Sequence, residues 1–147
     1  MDEVVSEQDV REVREDELAR CYSLLRQLRP HIASAEEFVE RCRRQHAEGY
    51  RLVAMWSAGK PRALAGFRVT ENLVHGRFLY VDDLVVDAED RNRGYGTVLI
   101  DRLKQDGRLL GCTKLVLDTG LDNTLAHRFY YRQGLLAMAL RFNTPLG

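Results

Sequence analysis

The sequence predicts an α+β fold in which a mixed, mostly antiparallel central sheet carries helices on both faces. Two amphipathic segments come early in the chain, three strand-like segments then follow one another, and helix-like and strand-like segments alternate after them. This order of elements (β, α, α, three strands, α, β, α, β) is typical of the α+β class. At 147 residues the chain has the length of one domain, so residues 1–147 are expected to form a single domain with one core.

The first part of the chain predicts a short strand followed by two helices. Residues 10–13 are interpreted as the strand. After Asp16, apolar residues recur at helical spacing up to Pro30, where the helix must end. Ser34 and Glu37 have the spacing of a capping box, which predicts the start of the second helix.

Three strands are predicted in the middle of the chain. The stretch YRLVAMWS is rich in β-branched and aromatic residues, and AGKP after it is a turn signal leading to RALAGFRVT, so the two runs predict a hairpin. The following run GRFLYVDDLVV, Gly76–Val86, predicts a long strand that contains two acidic residues.

The last third predicts an alternation of helices and strands. A helix from Tyr95 has one apolar face and ends near Gly111. Residues 114–119 (KLVLDT) form a nearly continuous apolar run, typical of a strand that is buried on both faces. Asn123 can cap a last helix, and residues 135–142 (LLAMALRF) are predicted to complete the sheet.

Charge balance and cysteine content exclude several classes of protein. The 22 Lys and Arg residues offset 22 Asp and Glu, so no overall field attracts nucleic acid or an anionic membrane. The odd number of cysteines without CxxC spacing argues against a disulfide framework and against a metal site. An acidic start (MDE) and the shortness of the longest apolar run predict a cytoplasmic protein without signal peptide or membrane span.

The stretch EDRNRGYGTVLI predicts an anion-binding loop between a strand and a helix, where unsatisfied backbone N–H groups and the helix dipole favour negative charge. Its two glycines remove Cβ atoms that would hold a phosphate away, and its two arginines can add charge-assisted hydrogen bonds. The candidate ligand residues are Arg91, Arg93, Gly94, Tyr95, Gly96 and Thr97. A P-loop is excluded because GKS and GKT are absent, and Leu99 excludes a dinucleotide fingerprint. A glycine turn with solvated arginines is the alternative.

Two spaced motifs resemble the GCN5-related N-acetyltransferase (GNAT) superfamily, whose members transfer acetyl groups from acetyl-CoA to amines. The phosphate motif R/Q-x-x-G-x-G/A is matched by Arg91, Gly94 and Gly96. The later signature N-x-x-A-x-x-F-Y-x-x-x-G-F/L is matched by Asn123, Ala126, Phe129, Tyr130, Gly134 and Leu135. The resemblance covers about residues 78–136 by motif.

The resemblance implies the GNAT acyl-CoA N-acyltransferase fold, in which splayed parallel strands hold the pantetheine arm of coenzyme A. The anion in the loop would then be the pyrophosphate of that coenzyme. The strand end Leu84, Val85 and Val86 would hold the arm through backbone groups, and Asn123 would contact it. Phe129 and Arg132 complete the predicted cofactor-binding set. No metal is expected.

The candidate residues for acid–base chemistry are Asp82 and Asp83 as bases and Tyr130 as the acid. An amine with a pKa of about 10.4 is protonated at neutral pH, so a base is needed. Tyr80, Asp82, Asp83 and Val86 resemble the YxEDxxV pattern of the polyamine-type branch, with aspartate replacing glutamate at residue 82. Because neighbours on a strand point to opposite faces, only one aspartate is expected to face the reaction. The alternatives are a water-mediated route, binding of a cationic substrate, or an acid pair that is solvated or bonded to arginine.

The resemblance implies that Tyr130 protonates the departing sulfur; a packed aromatic is the alternative. We therefore expect an acetyl-CoA-dependent N-acetyltransferase that acetylates a primary amine of a small molecule by direct transfer. A lysine or N-terminal protein acetyltransferase and a non-catalytic acyl-CoA-binding module are the alternatives. No nucleic-acid or membrane partner is expected, and the resemblance leaves a homodimer open.

Overall fold

The computed structural model describes residues 10–147 and comprises two compact units. The first unit extends to Val116, and the second spans Leu117–Gly147. Apart from Leu117, the last residue of its fifth strand, the sheet lies in the first unit together with the helices that precede this strand, and the last helix lies in the second unit. A single domain over residues 1–147 stays a prediction.

A five-stranded sheet with the order β1-β2-β3-β4-β5 organises the first unit. The strands are β1 (Val10–Glu12), β2 (Arg51–Ser57), β3 (Lys60–Asn72), β4 (Gly76–Val86) and β5 (Lys114–Leu117). The first four are antiparallel neighbours, as the succession of strand-like segments predicts. β2 and β3 form the predicted hairpin, since the two loop residues Ala58 and Gly59 both have positive φ, of 51° and 75°.

Residues 10–147 contain the α-helices α1 (Tyr22–Leu28), α2 (Ala35–His46), α3 (Tyr95–Leu109) and α4 (Thr124–Arg132), and a 3-10 segment, Glu15–Cys21, leads into α1. The predicted start of α2 is confirmed. The Ser34 hydroxyl accepts a hydrogen bond from the Glu37 N–H at 3.1 Å, and the Glu37 carboxylate accepts one from the Ala33 N–H at 2.9 Å. Among residues 10–147, no helix is long and apolar enough to cross a membrane.

Different helices cover the two faces of the sheet. Leu52, Ala54 and Trp56 of β2 pack in one core with the apolar residues of α1 and α2. Val53 and Met55 point the other way because side chains alternate along a strand, and α3 packs against β2, β3 and β4. The predicted α+β class with helices on both faces is confirmed.

Two predictions about the last strands are wrong. β5 is half-buried instead of buried on both faces, because it lies at the edge of the sheet. Residues 135–142 have no regular secondary structure. Their large apolar side chains are exposed: Leu136, Met138, Leu140 and Phe142. An apolar run can favour a strand, but a strand also needs a neighbouring strand edge to pair with its backbone groups.

Candidate active site

The loop before α3 presents backbone amides at an uncapped helix start. Gly94 precedes the helix with φ of 82° and ψ of 9°, in the left-handed region that favours glycine. The Val98 N–H donates to the Gly94 carbonyl at 3.1 Å, which places Gly94 at the start of the hydrogen-bond ladder of the helix, where N–H groups favour an anion. Gly94 has no side chain that could cap this end, and no acidic residue lies in the first turn of the helix. These features suit an anion.

The surroundings of Gly94 leave room for a ligand. A Cβ atom added to Gly94 would meet nothing within 4 Å. The predicted ligand residues around it are exposed or half-buried: Arg91, Arg93, Gly96 and Thr97. Tyr95 differs, because its side chain is buried and anchors the helix. Only the main chain of Tyr95 is therefore available to a ligand.

A buried carboxylate organises the charged side of this loop. Asp90 is 4% exposed, with Oδ2 lying 3.5 Å from Nη1 of Arg62 and Oδ1 lying 3.6 Å from Nη1 of Arg93. The main chain ties the same turn to β3, because the Asp87 N–H donates to the Arg62 carbonyl at 2.8 Å. Asp90 and Arg62 are absent from the sequence-predicted site, since an acid in a polar loop gives no signal that it will be buried.

β4 contains a bulge at the two predicted acids. Gly66 pairs with Asp83 and Phe67 pairs with Val81, which leaves Asp82 as the extra residue. A bulge interrupts the regular alternation of side chains. Both aspartates accordingly belong to one polar cluster, and the expectation that neighbours on this strand point to opposite faces does not hold here.

Asp83 is held from two sides. Its Oδ1 accepts a hydrogen bond from Nε of Arg29 at 2.9 Å, and its Oδ2 accepts one from the Tyr50 hydroxyl at 2.6 Å. Nη2 of Arg29 also donates to the Asp82 carbonyl at 2.9 Å. The Asp83 side chain is only 15% exposed. It thus ties β4 to the end of α1 and to the residue before β2.

Tyr50 reaches Asp83 by crossing over a glycine. A Cβ atom added to Gly66 would lie 1.8 Å from the Tyr50 hydroxyl oxygen and 2.4 Å from Cζ, so no other residue leaves room for the ring. Burial raises the pKa of Tyr50 well above its ordinary value, and the negative charge of Asp83 adds to this. Tyr50 therefore remains a hydrogen-bond donor. A glycine inside the strand pattern GFRV is the one sequence signal that could have indicated this close approach.

Asp82 is the more accessible of the two acids. Its side chain is 27% exposed, and Oδ2 lies 3.3 Å from Nε of Arg68. Arg68 is itself oriented by Gln45, whose Oε1 accepts a hydrogen bond from Nη2 at 2.8 Å. Burial raises the pKa of the Asp82 carboxyl above its ordinary value, and the Arg68 guanidinium opposes part of that shift. A carboxylate of this kind accepts a proton at a higher pH than a solvated aspartate does.

The end of β4 connects the bulge to the anion loop. Leu84, Val85 and Val86 are half-buried and pair with Ala65, Leu64 and Ala63 of β3. The chain then turns at once into the segment that carries Asp90 and Gly94. Residues 82–97 are therefore one continuous run from the end of β4 to the start of α3. In the described residues, no group of three or more His, Cys, Asp or Glu side chains could hold a metal ion.

α4 in the second unit has well-defined ends. The predicted cap is confirmed, since Oδ1 of Asn123 accepts a hydrogen bond from the Ala126 N–H at 3.2 Å. At the other end, Gly134 has φ of 87°, and two bonds form a Schellman motif. The Gly134 N–H donates to the Tyr131 carbonyl and the Leu135 N–H to the Tyr130 carbonyl, both at 3.0 Å.

Tyr130 is half-buried on α4. Its ring packs edge-to-face on Phe129, with the ring centroids 5.5 Å apart. Burial raises the pKa of the Tyr130 phenol above its ordinary value. Tyr131 and Arg132 are exposed, whereas His127 places Nε2 2.8 Å from the Gly120 carbonyl, which fits a structural role.

Comparisons with known proteins agree with the fold and the motifs. The acetyltransferase (GNAT) family model matches residues 15–135. The uncharacterized N-acetyltransferase YhdJ of Bacillus subtilis (strain 168) is 30% identical over 133 residues, which cover 89% of this chain and 93% of YhdJ. A putative acetyltransferase from Agrobacterium tumefaciens str. C58 has a TM-score of 0.82 at 22% identity, covering 93% of this chain and 99% of its own.

A second solved structure extends the comparison of folds. The aminoglycoside N-acetyltransferase AAC(6')-Iy in complex with CoA has a TM-score of 0.83 at 18% identity, covering 94% of this chain and 93% of its own. At these identities the solved structures show a common fold, while the family model and YhdJ extend over most of the chain. The chain therefore belongs to the GNAT family of acetyltransferases and is an N-acetyltransferase.

Proposed function

We propose that the protein transfers the acetyl group of acetyl-CoA directly to a primary amine of a small molecule. The observation that carries this proposal is the start of α3 at Gly94, where a glycine in the left-handed region has space around it, in a chain of the GNAT family. The pyrophosphate of CoA is an anion of the kind such a helix start favours, and the exposed Arg91 and Arg93 add positive charge. A complex of AAC(6')-Iy with CoA supports the same cosubstrate.

The proposed reaction consists of attack by the amine on the thioester and departure of the CoA sulfur. The neutral amine attacks the thioester carbonyl carbon, so a C–N bond forms and the carbonyl oxygen becomes an oxyanion. Backbone N–H groups at the end of β4, near Val85 or Val86, stabilise that charge. The C–S bond then breaks, Tyr130 gives its proton to the departing sulfur, and the surplus proton of the amine passes to a base.

Asp82 is the better of the two candidates for that base. Asp83 already accepts hydrogen bonds at both oxygens, from Arg29 and from Tyr50. Asp82 has one long ion pair with Arg68, a more exposed carboxylate and a raised pKa. Each difference favours proton acceptance by Asp82, directly or through a water molecule.

Tyr130 suits the acid role for an electrostatic reason. The ordinary pKa of a tyrosine phenol is about 10 and burial raises that of Tyr130 further, so the phenol carries the proton that an acid must supply. The thiolate of CoA has an ordinary pKa of about 8.5, and a positioned donor lowers the barrier to its departure. The Schellman motif fixes the main chain of Tyr130 at the end of α4.

The test of the proposal is a comparison of adjacent tyrosines. Tyr130→Phe should lower turnover at least about tenfold, because a general acid contributes on the order of 10² to 10⁴ in rate. The affinity for CoA, measured by calorimetry, should stay nearly unchanged. Tyr131→Phe on the exposed side of the same helix is the matched control and should leave thiol release intact. Unchanged turnover in Tyr130→Phe would remove this residue from the mechanism.

A second comparison assigns the base. Asp82→Asn should reduce kcat/KM by about 10² or more, whereas Asp83→Asn should act mainly by weakening the fold around Tyr50. Thiol release and thermal unfolding are measured on both variants. If Asp83→Asn stayed well folded and lost more kcat than Asp82→Asn, Asp83 would be assigned as the base instead of Asp82. CoA binding without turnover on any amine or peptide would indicate a binding module instead of an enzyme.

A further inference from the structure

We infer that the acceptor is an amine that also carries a carboxylate, and that Arg29 selects for it. The inference rests on the proposed acetyl transfer, since it concerns the acceptor in that reaction. It deepens the proposal by assigning a substrate class to the polar cluster at the β4 bulge, which consists of Arg29, Tyr50, Arg68, Asp82 and Asp83.

Each acid of this cluster has an arginine partner, and Arg68 also lies 3.5 Å from the exposed Glu48, which is outside the cluster. Asp83 is paired with Arg29 at 2.9 Å, and Asp82 is paired with Arg68 at 3.3 Å. An acceptor that approaches the two acids therefore also meets two guanidinium groups. A polycation would gain attraction from the carboxylates but would suffer repulsion of similar size from the arginines. The paired acids of the YVDDLVV stretch thus do not form an acidic pocket of the kind that favours a polyamine.

The guanidinium group of Arg29 is held in one orientation, and its nitrogen Nη1 remains available to a ligand. Nε donates to Asp83 and Nη2 donates to the Asp82 carbonyl, so two bonds hold the guanidinium plane. Its remaining nitrogen, Nη1, takes part in no hydrogen bond of residues 10–147, and the side chain is 41% exposed, more than that of its partner Asp83. A planar donor held on one side is suited to bind a carboxylate on the other.

The same guanidinium lies beside the proposed base. Nη2 of Arg29 is bonded to the main chain of Asp82, whose side chain is the proposed proton acceptor. A carboxylate on the acceptor would pair with Nη1 of Arg29, and the amine of the same molecule would give its proton to Asp82, directly or through water. An amine without a carboxylate leaves Nη1 of Arg29 without an acceptor from the substrate, so it lacks this additional charge-assisted hydrogen bond.

The test uses acceptors that differ only in the carboxylate. Lysine is compared with cadaverine, ornithine with putrescine, and phenylalanine with phenethylamine, with CoA thiol release as the readout. We expect kcat/KM to be about tenfold or more higher for the amino acid in at least one pair, as charge-assisted hydrogen bonds allow. Arg29→Gln should abolish that preference mainly through KM, and Arg29→Lys should restore part of it.

Arg26→Gln is the matched control, because it removes the same charge from the exposed surface of the same helix. It should leave the preference unchanged. Thermal unfolding and CoA affinity of each variant show that the fold persists. Higher kcat/KM for the plain amine in every pair, or the same preference in Arg29→Gln as in wild type, overturns the inference alone. Absence of turnover with every acceptor in a protein that binds acetyl-CoA overturns the proposed function, and the inference with it.

Discussion

The bulge of β4 and the loop before α3 both depend on a glycine, but for opposite reasons. At Gly66 the backbone is ordinary and the space is taken, since an added Cβ would strike the Tyr50 ring. At Gly94 the space is open and the backbone is unusual, with φ of 82°. The first glycine permits a packed polar cluster, and the second permits a turn that exposes backbone amides. One region is therefore filled by side chains of the protein itself, and the other leaves space at the site proposed for the pyrophosphate of CoA.

The same contrast extends to the charges. In the bulge, each carboxylate has an arginine partner, and Asp83 has a phenol as well. At the start of α3, the residue at the capping position is Gly94, which has no side chain that could bond to the first-turn amides. Substitutions in the bulge should therefore reduce stability first and substitutions in the loop should reduce anion affinity first.

Gly66→Ala should have the largest effect. A Cβ at 1.8 Å from the Tyr50 hydroxyl oxygen forces the ring out, so the free energy of unfolding should fall by about 3 kcal/mol. Chemical denaturation measures it. Gly107→Ala is the control, because a Cβ there would meet Leu79 at an ordinary 3.7 Å and alanine favours a helix. Combining Gly66→Ala with Tyr50→Ala should cost less than the sum of the single variants; additive losses would argue against the steric explanation.

Tyr50→Phe should have the next largest effect on stability. It removes the hydroxyl that donates to Asp83 at 2.6 Å, and a hydrogen bond to a charged acceptor contributes about 2 kcal/mol. Tyr22→Phe removes a comparable bond, but to the neutral Ile32 carbonyl at 2.7 Å, and should cost about 1 kcal/mol. Equal losses in the two variants would mean that the charge of Asp83 is not what strengthens the Tyr50 bond.

Gly94→Ala should cost about 1 kcal/mol of stability, since alanine is strained at positive φ while its Cβ meets no neighbour. Its larger effect should be on ligand affinity. Calorimetry should show weaker binding of CoA, whereas turnover of a truncated thioester without the pyrophosphate should change little. Gly94→Asn is the control, because asparagine tolerates the left-handed region and should lose less stability. If Gly94→Ala lowered turnover of the truncated thioester as much as turnover of acetyl-CoA, the pyrophosphate would have to bind elsewhere.

The sequence predicted the elements of the fold better than the contacts of the site. The bounds of β4, the start of α3 and the cap at Asn123 follow from local patterns, and the structure agrees with them. The partners of Asp83 could not be predicted in this way. Arg29 is 54 positions and Tyr50 33 positions away in the chain, and no local periodicity brings them together. The strand predicted at residues 135–142 was wrong for the related reason that pairing depends on a partner edge.

Arg68→Gln should have the smallest effect, and it is measured as a shift in a pH profile. Burial raises the pKa of Asp82, and Arg68 lowers it because a nearby positive charge favours the ionised carboxylate. Removal of Arg68 should therefore raise the pKa of Asp82 further. A base is active when ionised, so the acidic limb of the kcat/KM profile should move to higher pH, while the rate well above that limb changes little.

Arg44→Gln is the control for this shift, since Arg44 is an exposed arginine of α2 whose partner is Glu40. Its pH profile should coincide with that of the wild type. A shift of the acidic limb to lower pH in Arg68→Gln would contradict Asp82 as the base. An unchanged acidic limb of the kcat/KM profile in Asp82→Asn would also contradict Asp82 as the base, because the titrating group would then be another residue. A shift to higher pH in Arg68→Gln alone would support Asp82 as the base. The arginine that is paired with Asp82 would then also set the pH at which Asp82 accepts a proton.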